Sequence, residues 1–448
     1  MDVFSALQTA VSGLKAQAYS LDNISGNIAN SQTTGYKRID TSFNDIVAEQ
    51  DAKHQVAGTV AAQSQLTNSL QGTFNATGIG TNMALNGSGF FIVQRKTSDV
   101  AGATTFSGED LYTRRGDFSL DKDGYLVNGA GSYLQGARLD PSTGQTTANG
   151  PIQVSNSVIP AKATTTITYS ANLPKTPTTA ASATTAGGTP PTALADIPQT
   201  GAQTFINNSI AGPSITAYTS GGAPMTLQMR WAKVSTADPA TPGSTDTWNL
   251  YYADKSSVSG SSTSWTNLKE AFTFDASAQL TAPATGSVNI AKLSVDGIEI
   301  PDVALNFGKG GLTQYASSSG SVTTNALKQD GYASGTLNSV AVTSDGKVSG
   351  TYSNGSVYSL AKINVAQFIN PDGLKAASNG NYTQTMESGV PVLGLKDTTV
   401  LGANVEQSNT DIAGEFSKMI VTQQAYTANT RVMTTAQTMI SDLLNVIR

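Results

Sequence analysis

The amino-acid sequence predicts an α+β fold, with long N- and C-terminal helices forming a coiled-coil-like terminal domain. Two mainly-β domains lie between the helices, the central one inserted in the other. Three observations predict this. Apolar residues at both ends of the 448-residue chain recur at steps of three and four. Most of the chain between them consists of short apolar runs broken by Gly, Asn and Asp turns. Two similar hairpin segments stand far apart, on either side of a block with its own composition.

The N-terminal series is Phe4, Leu7, Val11, Leu14, Ala18, Leu21 and Ile28. It predicts a helix over 3–30. Gly13 and Gly26 each cost it about 1 kcal/mol against alanine, so the helix needs packing to hold it. Turn chemistry in Ser31-Gln32-Thr33-Thr34-Gly35 ends it near Asn30. Residues 36–75 are polar, with scattered Phe43, Ile46 and Val47, and read as a partly irregular connector.

Strand signals dominate 78–160. Phe90-Phe91-Ile92-Val93 follows the turn Asn86-Gly87-Ser88-Gly89, and Asp121-Lys122-Asp123-Gly124 separates Phe118-Ser119-Leu120 from Tyr125-Leu126-Val127 as a hairpin. A comparable unit recurs at Val340-Ala341-Val342, Ser344-Asp345-Gly346 and Val348, followed by Asn354-Gly355 between Tyr352 and Val357. Residues 176–200 are low-complexity and rich in Thr, Ala and Pro. The strand-like runs beyond them predict a separate β domain.

The C-terminal series is Ile412, Phe416, Met419, Tyr426, Met433, Ile440, Leu444 and Ile447. Ser408-Asn409-Thr410-Asp411 offers an N-cap, and Asp411 and Glu415 put negative charge in the first turns. A helix from Ile412 to the end would span ~55 Å at 1.5 Å per residue, a length that favours a bundle or coiled coil. The row Phe416, Gln423, Thr430, Gln437 and Leu444 mixes polar residues into the seam, which fixes register at a cost in stability. The chain divides into a terminal helical domain (1–30 with 405–448), a connector (31–75 with 385–404), a discontinuous β domain (76–160 with 312–384) and an inserted outer β domain (161–311).

Composition narrows the function. Charged residues make up 13%, against about 25% in an average soluble domain. The net charge of −5 gives no footprint for nucleic acid. There is no cysteine, hence no thiolate chemistry. The single histidine, His54, reads as a solvated residue, and no G-x-S-x-G surrounds a serine. Asp121-Lys122-Asp123-Gly124 resembles the start of a calcium loop but lacks its later acidic ligands. No catalytic, cofactor-binding or metal residue is assigned, and no enzyme activity is expected. No apolar run reaches the ~18 residues of a membrane span, and the N-terminus lacks the pattern of a cleaved signal.

Several linked motifs resemble the axial proteins of the bacterial flagellum, the rod, hook and hook-associated family. At the front they are Ala10-Val11-Ser12-Gly13-Leu14, then Leu21 through Asn30 with Asn27, and Thr34-Gly35-Tyr36-Lys37. At the back they are Ser408-Asn409-Thr410-Asp411, Met419-Ile420, Gln423-Gln424, Tyr426 and Asn429. Ala84 through Phe91 and Tyr112 through Phe118 are similar to the family's β-domain signature. The hook class fits best, because rod subunits usually lack so large a central block.

The resemblance implies a structural subunit of a curved tubular homopolymer that transmits motor torque from rod to filament. It also implies paired terminal helices inside, ordering on assembly, and β domains outside. The implied partners are copies of the chain, the rod, hook cap and hook-filament junction proteins, and the type III export apparatus, with no nucleic acid and no membrane insertion. The implied place is the basal body and hook, outside the cell, reached without a cleaved signal peptide. Two alternatives are a distal rod or hook-associated junction protein, and a secreted β-rich glycan-binding protein or glycosidase using Trp231, Trp248 or Trp265.

Overall fold

The computed structural model describes residues 3–46, 59–100, 103–141, 143–183, 194–237, 240–241, 244–255 and 263–446. The chain divides into two compact units. One comprises Met1–Asn156, Leu337–Tyr352 and Val357–Arg448, and the other Ser157–Thr336 and Ser353–Ser356. Strands predominate, with one long helix at each end.

The N-terminal helix runs Val3–Ala29. Asn30 closes it by donating Nδ2–H to the Gly26 carbonyl at 2.9 Å, and Ser31 Oγ caps Ile28 O at 2.8 Å. The C-terminal helix runs Ile412–Val446, and Asp411 Oδ1 accepts Ala413 N–H at 3.1 Å as its N-cap.

Residues 36–75, expected to be partly irregular, contain an antiparallel hairpin. Ile39–Ile46 pairs with Thr59–Leu66, from Ile39 opposite Leu66 to Ile46 opposite Thr59. Such a pair is marginal alone in water, and here the N-terminal helix supports it. Asn23 Nδ2 donates to Thr41 Oγ1 at 2.9 Å, and the hydroxyls of Tyr19 and Ser64 lie 2.6 Å apart. Polar anchoring of this kind leaves no apolar alternation to read. Val47 and His54 lie outside the described residues.

In the first unit one sheet carries both hairpin segments. Its path runs from Leu337–Val342 through Lys347–Tyr352, Val357–Ile363, Ser132–Leu139, Phe90–Val100, Leu111–Thr113 and Asn381–Thr383 to Lys375–Ala376. The run Phe90-Phe91-Ile92-Val93 alternates between two faces. Phe91 and Val93 enter a core with Phe118, Leu134 and Val348. Phe90 and Ile92 enter a second core with Tyr112, Phe368 and Tyr382. At the turn, Asp121 Oδ1 accepts N–H from Asp123 at 3.0 Å and Tyr125 at 2.8 Å, and Gly124 takes φ +80°. That carboxylate is spent on the turn itself.

The second unit packs two five-stranded sheets around one apolar core. Residues 312–336, expected in the discontinuous β domain, belong here instead. Leu312–Thr313 and Thr323–Gln329 hydrogen-bond to Thr166–Asn172 as neighbouring strands. Trp231, Trp248 and Trp265 are fully buried, and Trp231 Nε1–H donates to Tyr169 OH at 3.1 Å. Burial pushes the Tyr169 phenol up to about 12. No indole face is left for a sugar. Trp231→Ala should destabilise this unit by about 3–5 kcal/mol, measured as a lowered denaturation midpoint. An unchanged midpoint would contradict the packing described.

Candidate functional site

The two ends of the chain meet at a junction built from three distant stretches. Lys37 leaves the N-terminal turn, Arg114 follows strand Leu111–Thr113, and Glu406 lies just before the C-terminal helix. All three side chains are essentially buried. Lys37 Nζ donates to Glu406 Oε1 and to Leu70 O, each at 2.6 Å. Gly72 N–H adds a bond to the same carboxylate oxygen at 2.8 Å. Arg114 Nη1 lies 3.4 Å from Glu406 Oε2 and 3.1 Å from Leu85 O, Nη2 donates to Gly87 O at 2.6 Å, and the guanidinium stacks 4.9 Å over Phe90. Burial pulls both cations below their usual pKa, and Glu406 opposes that in each. Burial also pushes the neighbouring Tyr382 phenol up.

A second cluster ties the helices to the hairpin. Asn27 Oδ1 accepts Ile39 N–H at 2.8 Å and Tyr36 OH at 3.1 Å. Its Nδ2 donates to Ile39 O at 2.9 Å and Glu415 Oε2 at 3.0 Å. Burial first, and Glu415 second, raise the Tyr36 pKa and keep its hydroxyl a donor. Lys418 Nζ bridges Glu415 at 2.8 Å and Asp40 at 3.0 Å. Asn409 works the other side, accepting Arg38 N–H at 2.7 Å and donating to Thr67 Oγ1 at 3.1 Å. Gly35 takes φ +67°, and a Cβ there would stand 2.6 Å from Arg115 N. No other residue fits.

These contacts give the family-motif residues physical roles. Asn27, Tyr36 and Lys37 bind, Asn30 caps, and Gly35 turns. Asn429 packs on Gly13, where a Cβ would stand 2.9 Å from its Nδ2. Gln423 lies exposed on a shallow cleft with Ile420 and Thr427.

The contacts Gly13–Asn429 and Asn27–Glu415 fix an antiparallel register. That register places Ser20 opposite Thr422 and Ala6 opposite Ala436. The rows in contact are therefore small or polar, at strict sevens: Ala6, Gly13, Ser20, Asn27 against Glu415, Thr422, Asn429, Ala436. Both ends are helical and paired within one chain, where the sequence led to an expectation of ends ordered only on assembly.

The apolar seams lie to the side of this contact. Phe4 (67% exposed) and Ile412, Phe416 and Tyr426 are exposed. Leu7, Val11, Leu14, Leu21, Ile28, Met419, Met433 and Ile440 are half-buried. Leu444 belongs to the helix but its side chain is not described, and Ile447 lies outside the described residues. Ile420, Val421, Val432 and Met439 are also exposed. Sequence reasoning missed Glu406 and Glu415 as binding groups. Glu406 stands alone among uncharged neighbours in Ala403-Asn404-Val405-Glu406-Gln407, and that isolation was the available signal.

Among the described residues no group of three or more His, Asp or Glu could hold a metal, and no helix is long and apolar enough to cross a membrane. Glu406→Gln would leave two buried cations facing an amide. A loss of about 3–5 kcal/mol is expected, read as a lower unfolding midpoint of the first unit, with the second unit unaffected.

Four family models match the chain. They are "Flagella basal body rod protein" over residues 7–37, "Flagellar hook protein FlgE/F/G D1 domain" over 84–172, "Flagellar basal body protein FlaE D2 domain" over 172–332, and "Flagellar basal body rod FlgEFG protein C-terminal" over 402–446. The flagellar hook protein FlgE of Brucella abortus is 31% identical over the whole of both chains. That of Escherichia coli is 30% identical over 98% of this chain and all of the relative. A solved hook protein, FlgE2 of Helicobacter pylori, is 15% identical and covers 73% of this chain and 98% of its own, with a TM-score of 0.49. With full-length relatives and matched models at both ends and in the middle, the chain belongs to the flagellar hook protein family.

Proposed function

We propose that this hook subunit polymerises into a curved tube whose wall is held together by the apolar rows of its terminal helices, paired in the manner of a coiled coil, with the β units stacked outward. The tube acts as a flexible joint, passing torque from rod to filament. Its partners are further copies, the rod, the hook cap, the hook-filament junction proteins and the export apparatus, and it works outside the cell.

One observation carries this reading. The helices already satisfy each other through small and polar side chains, yet Phe416, Ile420, Val421 and their neighbours stay exposed. Each such side chain gains about 1.5–3 kcal/mol on full burial. A helix that has found its intramolecular partner and still exposes that much apolar surface is supported only by further helices. Heterologous contacts that do not close then generate a filament.

A terminal tube of this kind needs 1–30 and 405–448 inside and the block 157–336 outside. Deleting Gln437 to Arg448 should leave a folded, soluble β body that forms no filaments; normal filaments by electron microscopy would refute the reading. Removing 157–336 should alter curvature or stiffness more than export. Filaments of unchanged curvature with export lost would count against the outer block's role.

A further inference from the structure

The main stretch of the second unit, Ser157–Thr336, begins and ends on one antiparallel pair of segments. Ile159 bridges Gly335, and Lys162 bridges Tyr332. The pairing resumes as a ladder from Ile167 opposite Gln329 to Asn172 opposite Thr323. Entering and leaving segments therefore lie side by side with their outer ends together. Their hydrogen bonds run across the pair. A pull that parts Ser157 from Thr336 opens such a pair rung by rung, and the load rests on the rung at the fork.

The rungs are unequal. Each outer bridge is two neutral backbone bonds, at 3.0 and 3.0 Å for Lys162 with Tyr332 and at 2.9 and 3.2 Å for Ile159 with Gly335. Inside them stands Asp330. Its Oδ1 accepts the N–H of Thr165 at 2.8 Å and of Thr166 at 2.9 Å, and its Oδ2 accepts the Thr165 hydroxyl at 2.7 Å. Lys162 Nζ lies 3.1 Å from the same Oδ2, but its side chain is 49% exposed, so this ion pair adds least. The other three bonds end on a carboxylate and are roughly twice as strong as neutral ones. Burial opposes the charge, yet the donors, Thr166 N–H first, hold the Asp330 carboxyl at about 2.

Thr164 anchors this group to the rest of the unit. It is fully buried, its Oγ1 donates to Gln329 Oε1 at 3.1 Å and accepts Tyr218 N–H at 2.9 Å, and its own N–H donates to Tyr218 O at 2.8 Å. Tyr218 ends a strand of the other sheet. Gly331 permits the close passage, since a Cβ there would stand 2.7 Å from Thr164 N.

We propose that Asp330 and its donors form a mechanical clasp on the second unit. Under tension at Ser157 and Thr336 the two outer bridges part first, and opening halts at Asp330. The ends then separate reversibly while the apolar core stays shut. The clasp, rather than the core, sets the load at which the unit unravels. It lies within a single chain and does not depend on the polymeric reading.

The chain has no cysteine, so thiols placed at the exposed Ser157 and Thr336 are unique handles on the full-length protein. Pulled in optical tweezers, S157C/T336C should show a short reversible extension and then abrupt opening of the unit. D330N in that background should raise the rate of abrupt opening at constant force by at least about tenfold. T165V, which removes one bond and keeps the charge, should raise it by a smaller factor and serves where D330N does not fold. V303A removes buried volume from the core of the same unit. It should lower the thermal midpoint and leave the opening rate nearly unchanged, because core contacts still stand when the clasp breaks. Opening without the reversible step, a rate moved by neither D330N nor T165V, or a rate moved as much by V303A, would overturn the clasp.

Discussion

Glu406 is one buried carboxylate shared between two buried cations. Lys37 arrives from the turn after the first helix, Arg114 from the end of strand Leu111–Thr113, and Glu406 itself from the threshold of the last helix. Taking three charges out of water is costly, and their mutual attraction repays it only in a fully bonded geometry. Here backbone carbonyls at Leu70, Leu85 and Gly87 accept from Lys37 Nζ and both Nη atoms of Arg114, while Arg114 Nε stays buried without a partner. A cluster of this kind adds little net stability against an apolar alternative. What it does is specify a single arrangement, because any shift of one stretch strands a charge.

The helix register is inherited from that junction. Asn27 and Glu415 form the first rung beyond it, and small residues at intervals of seven follow. Gly13 lets the Asn429 amide approach closely, and an alanine Cβ 2.9 Å from its Nδ2 would oblige that amide to shift. Intramolecular pairing and the exposed apolar rows thus use different faces of the same helices. The first is small, polar and fixed; the second is apolar and left open.

This division explains what was legible in the sequence. Periodicity revealed both helices and their apolar rows, because amphipathic spacing records surfaces that end up buried somewhere. It did not reveal which face meets which helix first, since Gly13, Ser20 and Thr422 carry no hydropathy signal. The Asp121–Gly124 turn was readable because its chemistry is local. The hairpin over 39–66 was not, since its support comes from Tyr19 and Asn23 on another element. Strand Thr323–Gln329 was placed in the wrong domain because pairing with Thr166–Asn172 is a long-range fact. Asn27, Tyr36 and Lys37 stood out as a pattern without a reason until the junction supplied one.

The character of the open surface bears on how a joint could bend. Along the last helix the hydroxyls of Ser417, Thr422, Thr427, Thr430, Thr435 and Thr438 each donate to the carbonyl four residues back. Such back-bonding weakens a helix slightly and favours bending. It also leaves those donors with no demand on a neighbouring chain. With charged residues at 13% of the sequence, contacts between copies would rest on dispersion and apolar burial, which tolerate small displacements far better than directional bonds. The rigid element is the ion cluster inside each subunit. In the proposed tube the compliant elements would be the faces between subunits, because each subunit would have to keep its shape while its neighbours slide.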